Sequence, residues 1–145
     1  MADLFTYDPQ ESVLVWDDHE FVAFMEGTMV SAAHMEEQST LHIGAKGDGT
    51  VVASRNRSGE FTLTLSQSSP SNDYLSAAVA EFYATGRIRV APILLRRLNS
   101  DEHARASLAW VVGPPAVAHG AEVEGREWVI RCHDLDIFAG GAVGL

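Results

Sequence analysis

The chain has 145 residues, enough for one domain with a buried core, and 46% hydrophobic with 21% charged residues is ordinary globular composition. Ten Lys and Arg against twenty Asp and Glu give a net charge of −10, the wrong sign for a protein that grips nucleic acid by neutralising phosphates. No apolar run approaches the roughly 20 residues that span a bilayer. The first residues lack the basic and apolar regions of a secretory signal, and the single Cys132 excludes an internal disulfide and suits a reducing cytoplasm.

Residues 1–11 read as a mobile or docking arm, because Asp8-Pro9-Gln10-Glu11 is polar and turn-like. The acid is concentrated early: nine Asp or Glu precede Lys46, the first basic residue. Such a surface serves solubility, or it sits beside a polyanion without sticking to it. Ser12–Trp16 and Phe21–Met25 are apolar runs around Asp17-Asp18-His19-Glu20, the pattern of a hairpin. Both runs are apolar on both faces, so something covers both, within the monomer or from a neighbour. Beyond Gly27, residues 28–34 form a further strand.

Residues 36–58 are polar and glycine-rich. Lys46-Gly47-Asp48-Gly49 can turn a small hairpin between Leu41–Ile43 and Val51–Ala53. Otherwise the segment is a loop long enough to imply interaction or disorder. Glu60–Ser66 is the cleanest strand, with Phe61, Leu63 and Leu65 on one side and Thr62 and Thr64 on the other. Ser69 or Ser71 then caps a helix with Pro70 at its entry and Asp73 in its first turn. Leu75, Ala78, Val79 and Phe82 make its buried stripe, and Gly86 ends it.

Three more strands follow, over 89–98, 104–112 and 126–138. In the second, Ala106, Leu108, Trp110 and Val112 share a face until Gly113-Pro114-Pro115 stops it. The third changes parity midway: Trp128, Ile130 and Cys132 alternate in step with Asp134 and Asp136, yet Leu135 and Ile137 take the other face. A bulge or break near His133 reconciles the two halves. Residues 139–145 form a small-residue tail. The whole, 1–145, reads as a single mainly β domain, a sandwich or barrel, with one flanking α-helix.

No catalytic, cofactor or metal site emerges. The six histidines lack ligand spacing, and no nucleophile elbow, phosphate loop or dinucleotide fingerprint is present. The serines of Ser66–Ser71 suit caps and turns. Asp134 and Asp136 read as surface charge with no neighbour to separate their pKa values. Arg55-Asn56-Arg57 suits either an acidic partner or a solvated loop.

Several motifs together, in order and spacing, resemble the tail tube proteins of contractile-tailed bacteriophages. They are Arg55-Asn56-Arg57-Ser58-Gly59, Phe61–Leu65, Ser69-Pro70-Ser71-Asn72-Asp73, Ala109–Pro115, Gly125–Trp128 and Arg131–Leu135. The resemblance covers residues 8–141 and is weakest over 36–43. It implies a structural protein, not an enzyme, whose hexameric rings stack into a hollow tube inside a contractile sheath. Its partners would be its own copies, the sheath protein, and baseplate and tail terminator proteins. DNA would pass through the lumen without specific binding, and the chain would not insert in a membrane. Synthesis would take place in the host bacterial cytoplasm and the protein would end in the virion tail. By the same resemblance Asp134 and Asp136, then Asp17, Asp18 and Glu20, would face the lumen, and the 36–58 segment with Lys46, Arg55, Asn56 and Arg57 would meet a neighbouring subunit. The alternative is a related baseplate, tube-initiator or type VI secretion-tube protein. A small ligand-binding β-barrel or hydrolase has no constellation to support it.

Overall fold

The computed structural model describes residues 12–24, 29–98 and 100–140. The arm over residues 1–11 and residues 141–145 of the tail lie outside the described residues.

Strands are numbered in chain order. The cleanest alternation in the sequence becomes β6 (Gly59–Ser66), whose Phe61, Leu63 and Leu65 are fully buried while Thr62 and Thr64 are partly exposed on the other face. It pairs antiparallel along its length with β9 (Gly125–Cys132) and, on its other edge, with β3 (Val30–His34). The sheet continues from β9 through β8 (His103–Val111) and β7 (Ala91–Arg97) to β1 (Ser12–Trp16) and β2 (His19–Glu20). The short β10 (Asp136–Phe138) pairs with the start of β8. A separate hairpin, β4 (Ser39–Ile43) and β5 (Gly49–Ala53), turns where the sequence places it. One helix, α1 (Ser71–Thr85), completes the mainly β fold.

The sheet does not close into a barrel: β3 ends it on one side and β1 with β2 on the other. A crossover bridges β1 and β6, the strand next to β3, in place of a strand. The Phe21 amide donates to the Leu14 carbonyl (2.9 Å), the Ser66 amide donates to the Ala23 carbonyl (2.9 Å), and Phe24 bridges to Leu65. Ala23 has a φ of 58°, so the expected strand from Phe21 is interrupted and the chain passes from one end strand to the other.

The serines at the start of α1 fasten the helix to the crossover, where the sequence suggested a cap. Pro70 occupies the N-cap without a side-chain hydrogen bond. The Ser69 hydroxyl donates to the Val22 carbonyl (2.6 Å), and the Ser71 hydroxyl oxygen accepts from the Val22 amide (3.2 Å). Both serines are buried and fasten the crossover to the helix start. At the other end Gly86, with φ 73°, returns its amide to Phe82 at 2.7 Å, the left-handed helix end expected of glycine. Leu75 and Ala78 are buried and Val79 packs partly, but Phe82 is 41% exposed, so the stripe leaves the core in its last turn.

Two fully buried tryptophans anchor the core, and both indole N–H groups are satisfied. Trp16 donates to the Ala109 carbonyl (3.1 Å), and Trp128 donates to Asn72 Oδ1 (2.9 Å), whose Nδ2 donates to the Ser66 carbonyl (2.8 Å). Helix, β6 and β9 are thereby locked together.

The face expected for β8 is corrected by a bulge. Ala91 pairs with Ala109 but Ile93 pairs with Ala106, three residues on β8 against two on β7. Ala104, Ala106 and Ala109 are therefore the buried residues, and Leu108 is turned outward. The parity change foreseen in the last strand is the break between β9 and β10 at residues 133–135, lying directly against this bulge.

The β1–β2 turn places Asp17 at φ 52° and Asp18 at φ 62°, the left-handed pair of a two-residue hairpin that favours Asn-Gly. Asp18 is exposed, and its side chain makes no ion pair among the described residues. Asp18→Gly is expected to stabilise the fold by about 0.5–1 kcal/mol by relieving the left-handed conformation. Chemical denaturation of the two proteins checks this; a less stable glycine variant contradicts it.

Candidate assembly interface

The hairpin β4–β5 stands off the core: every residue of its two strands is exposed. Cross-strand partners share a face, so the pairs Ser39–Ala53, Leu41–Val51 and Ile43–Gly49 put Leu41, Ile43, Val51 and Ala53 on one side. Leu41 is 65% exposed and Val51 70%, an unusual concentration of bare aliphatic surface. The tip closes through Gly47 at φ 89°, with the Gly44 amide on the Asp48 carbonyl at 2.7 Å. The base is held by the Ser54 amide on the Gln38 carbonyl (2.8 Å). A two-stranded hairpin is marginal in water by itself, and this one has an uncovered apolar face. Alternation within residues 39–43 and 49–53 carried that signal, masked in the sequence by the surrounding polar and glycine residues.

The neighbouring Arg55–Gly59 motif divides by function. Asn56 Oδ1 accepts from the Ser58 amide (2.9 Å) and hydroxyl (2.6 Å), folding the loop on itself. The Arg57 carbonyl accepts from the Leu135 amide (2.8 Å), and Gly59 is packed so closely on Leu135 and the Ala33 carbonyl that a Cβ there would collide with both. The side chains of Arg55, Arg57 and Lys46 are exposed and make no ion pair among the described residues.

The five acidic residues singled out in the sequence lie in two places. Asp17, Asp18 and Glu20 sit at the β1–β2 turn beside the helix. There Asp17 accepts from the Tyr74 hydroxyl (2.8 Å) and lies 3.6 Å from Arg89, while Tyr74 stacks on His19 with ring centroids 4.1 Å apart. Asp134 and Asp136 sit at the β9–β10 break. The Asp134 carboxylate accepts from the Ser107 hydroxyl and from the amides of Ser107 and Leu108 (both 3.2 Å), so it satisfies the bulge in β8. Desolvation pushes its pKa up, but the Ser107 and Leu108 hydrogen bonds outweigh it and hold the carboxyl below its ordinary value. Asp136 instead pairs with Arg105 across the ladder at 3.6 Å. On the same outer face, away from the buried residues, Arg131 pairs with Glu60 at 3.5 Å. Burial pushes the Cys132 thiol up to about 11, an inert core residue. Among the described residues no three His, Cys, Asp or Glu side chains converge as metal ligands.

No protein-family model and no curated protein sequence matches the chain. Solved structures do. A chain in the anti-feeding prophage tube-terminating cap superposes with a TM-score of 0.61 at 12% identity, covering 96% of this chain and 95% of that one. The chain shares its fold with tail-tube-related proteins. A chain in the sheath/tube terminator of an extracellular contractile injection system gives 0.60 at 11% identity, over 95% of this chain and 100% of the other. One in the sheath–tube complex of the same system gives 0.58 at 11%, over 93% of each.

Two outcomes are expected from this geometry. Leu41→Asp combined with Val51→Asp should change unfolding free energy by no more than about 0.5 kcal/mol, because neither side chain touches the core; a large loss in thermal melts would contradict a free-standing hairpin. Asp134→Asn should destabilise the fold by about 1–3 kcal/mol at pH 7. Because the folded carboxyl is held below its ordinary value, its contribution is complete above the ordinary carboxylate pKa of about 4 and disappears as pH falls through the lower folded value. The gap between wild type and variant in urea melts should therefore narrow below about pH 4; a constant gap contradicts the assignment.

Proposed function

We propose that this chain is a structural subunit of a contractile tail or injection particle, assembling with its own copies into stacked hexameric rings that form a conduit. The observation that carries the reading is the β4–β5 hairpin, an exposed apolar face on a projecting arm of a tail-tube-related fold. Neighbouring copies would cover Leu41, Ile43 and Val51, and the exposed Arg55, Arg57 and Lys46 would meet the acidic surface of a chain whose net charge is −10. Sheath, baseplate and terminator proteins would be its other partners, and no catalytic step is assigned to it.

In this reading the conduit wall is the sheet face opposite the core, because α1 covers part of the inner face. That face carries Arg105 with Asp136 and Arg131 with Glu60, charges that pair across the strands. A wall of paired charges offers DNA no continuous basic track to adhere to. Asp136 is the sequence-derived acid that best fits this wall; Asp134 serves the bulge, and Asp17, Asp18 and Glu20 lie at the turn beside the helix.

Negative-stain electron microscopy of the concentrated protein tests the reading. Rods or stacked rings with a central channel are expected from wild type, and only dispersed particles from the Leu41→Asp/Val51→Asp variant with its fold intact. Isolated single rings from wild type would favour a terminator or initiator role, and a strict monomer would overturn assembly altogether.

A further inference from the structure

The incomplete closure of the sheet leaves a cleft of about 1140 Å³ between β1 and β3. Its lining includes Leu14, Val30, Ala32, Leu95 and Ile137, with Arg97, Glu102 and His103 beside them, so it is the uncovered part of the sheet's inner face, apolar over the first five and polar at the other three. Both walls are strand edges. The Thr64 amide donates to the Met29 carbonyl (2.9 Å) and the Met35 amide to the Ser58 carbonyl (3.0 Å), so the odd-numbered residues of β3 bond to β6. By antiparallel alternation Val30, Ala32 and His34 turn their N–H and C=O groups to the other edge, which pairs with no strand among the described residues. On the opposite wall the crossover occupies β1 from Leu14 onward, where Phe21 bonds, leaving the edge at Ser12 unmatched. Free strand edges above an apolar floor are the elements of a strand-addition site.

The sequence holds a segment of matching chemistry. Ser12, on the cleft wall, is preceded by residues 1–11, which include Leu4-Phe5-Thr6-Tyr7: uncharged, rich in β-formers, with Phe5 and Tyr7 on one side of an extended chain. Asp8-Pro9 ends that run, since Pro cannot continue a ladder. Folded back through Asp8–Glu11 on its own β1, the segment would place Phe5 against Leu14 and Leu4 against Val15, positions already paired with Phe21 and Glu20. The same segment from another copy meets no such block along β3.

We propose that the cleft between β1 and β3 receives residues Leu4–Tyr7 of a second copy of this chain as an added strand along β3, with Phe5 and Tyr7 directed at the apolar floor. This rests on the self-assembly reading above. It adds a subunit joint separate from the hairpin.

Disulfide trapping in the full-length chain tests it. With Phe5 directed inward, Thr6 shares the outer face of β3 with Ser31 and Ala33. Thr6→Cys protein is mixed with Ser31→Cys protein, and in parallel with Ala33→Cys protein, then oxidised without denaturant and imaged. A disulfide-linked mixed dimer in at least one mixture, reduced at least tenfold when Phe5→Asp and Tyr7→Asp are added to the Thr6→Cys chain, is the expected result. Rods or rings without a mixed dimer would overturn the added strand while leaving self-assembly standing. A purely intrachain disulfide in chains carrying both cysteines would overturn the exchange between copies. Neither a dimer nor any assembly would overturn both readings.

Discussion

Two buried hydroxyls hold the ends of this sheet together. Ser69 and Ser71 bind the carbonyl and amide of Val22, and Val22 lies in the crossover that bonds β1 at Leu14 and β6 at Ser66. The serines add to the crossover's own backbone bonds and tie it to the start of α1. With it, one end is drawn together around Trp16 and Trp128 while the other remains a cleft. The molecule is therefore a well-packed half and an unfinished half. Its unfinished features, the cleft, the β3 edge and the β4–β5 hairpin, are those a neighbouring copy would complete.

Much of this was legible in the residues because local chemistry and tertiary packing agree. Phe61, Leu63 and Leu65 alternate and are buried; Gly86 ends the helix; Gly47 turns the hairpin; the parity slip after Cys132 marks a real break. The misreadings share one cause, a long-range contact that overrides local pattern. The bulge in β8 is held by Asp134, far along the chain, so alternation from Ala106 pointed at the wrong face. Ser69 and Ser71 read as caps because their partner Val22 lies in another segment. Phe21–Phe24 is apolar enough for a strand, yet Ala23 turns it into a crossover.

The candidate interface was half legible. The hairpin and the arginine loop were located by composition and glycine placement, but the coherence of Leu41, Ile43 and Val51 depends on cross-strand register. Asn56 and Gly59 prove to be loop-building residues, leaving Arg55 and Arg57 as the exposed charges. The acids considered for a conduit were drawn from the resemblance and from charge. Charge does not reveal that Asp134 holds backbone amides or that Asp17 bonds a tyrosine on the helix.

In the proposed function this fold would be completed by other copies of itself. Hydrogen–deuterium exchange compared between dilute monomer and pelleted assembly tests it most directly. The account predicts that amides of β4, β5 and the outer edge of β3 at Val30, Ala32 and His34 exchange quickly in the monomer and become protected on assembly, while β6 and β9 are protected in both. Equal protection of the hairpin and the β3 edge in both samples would contradict it.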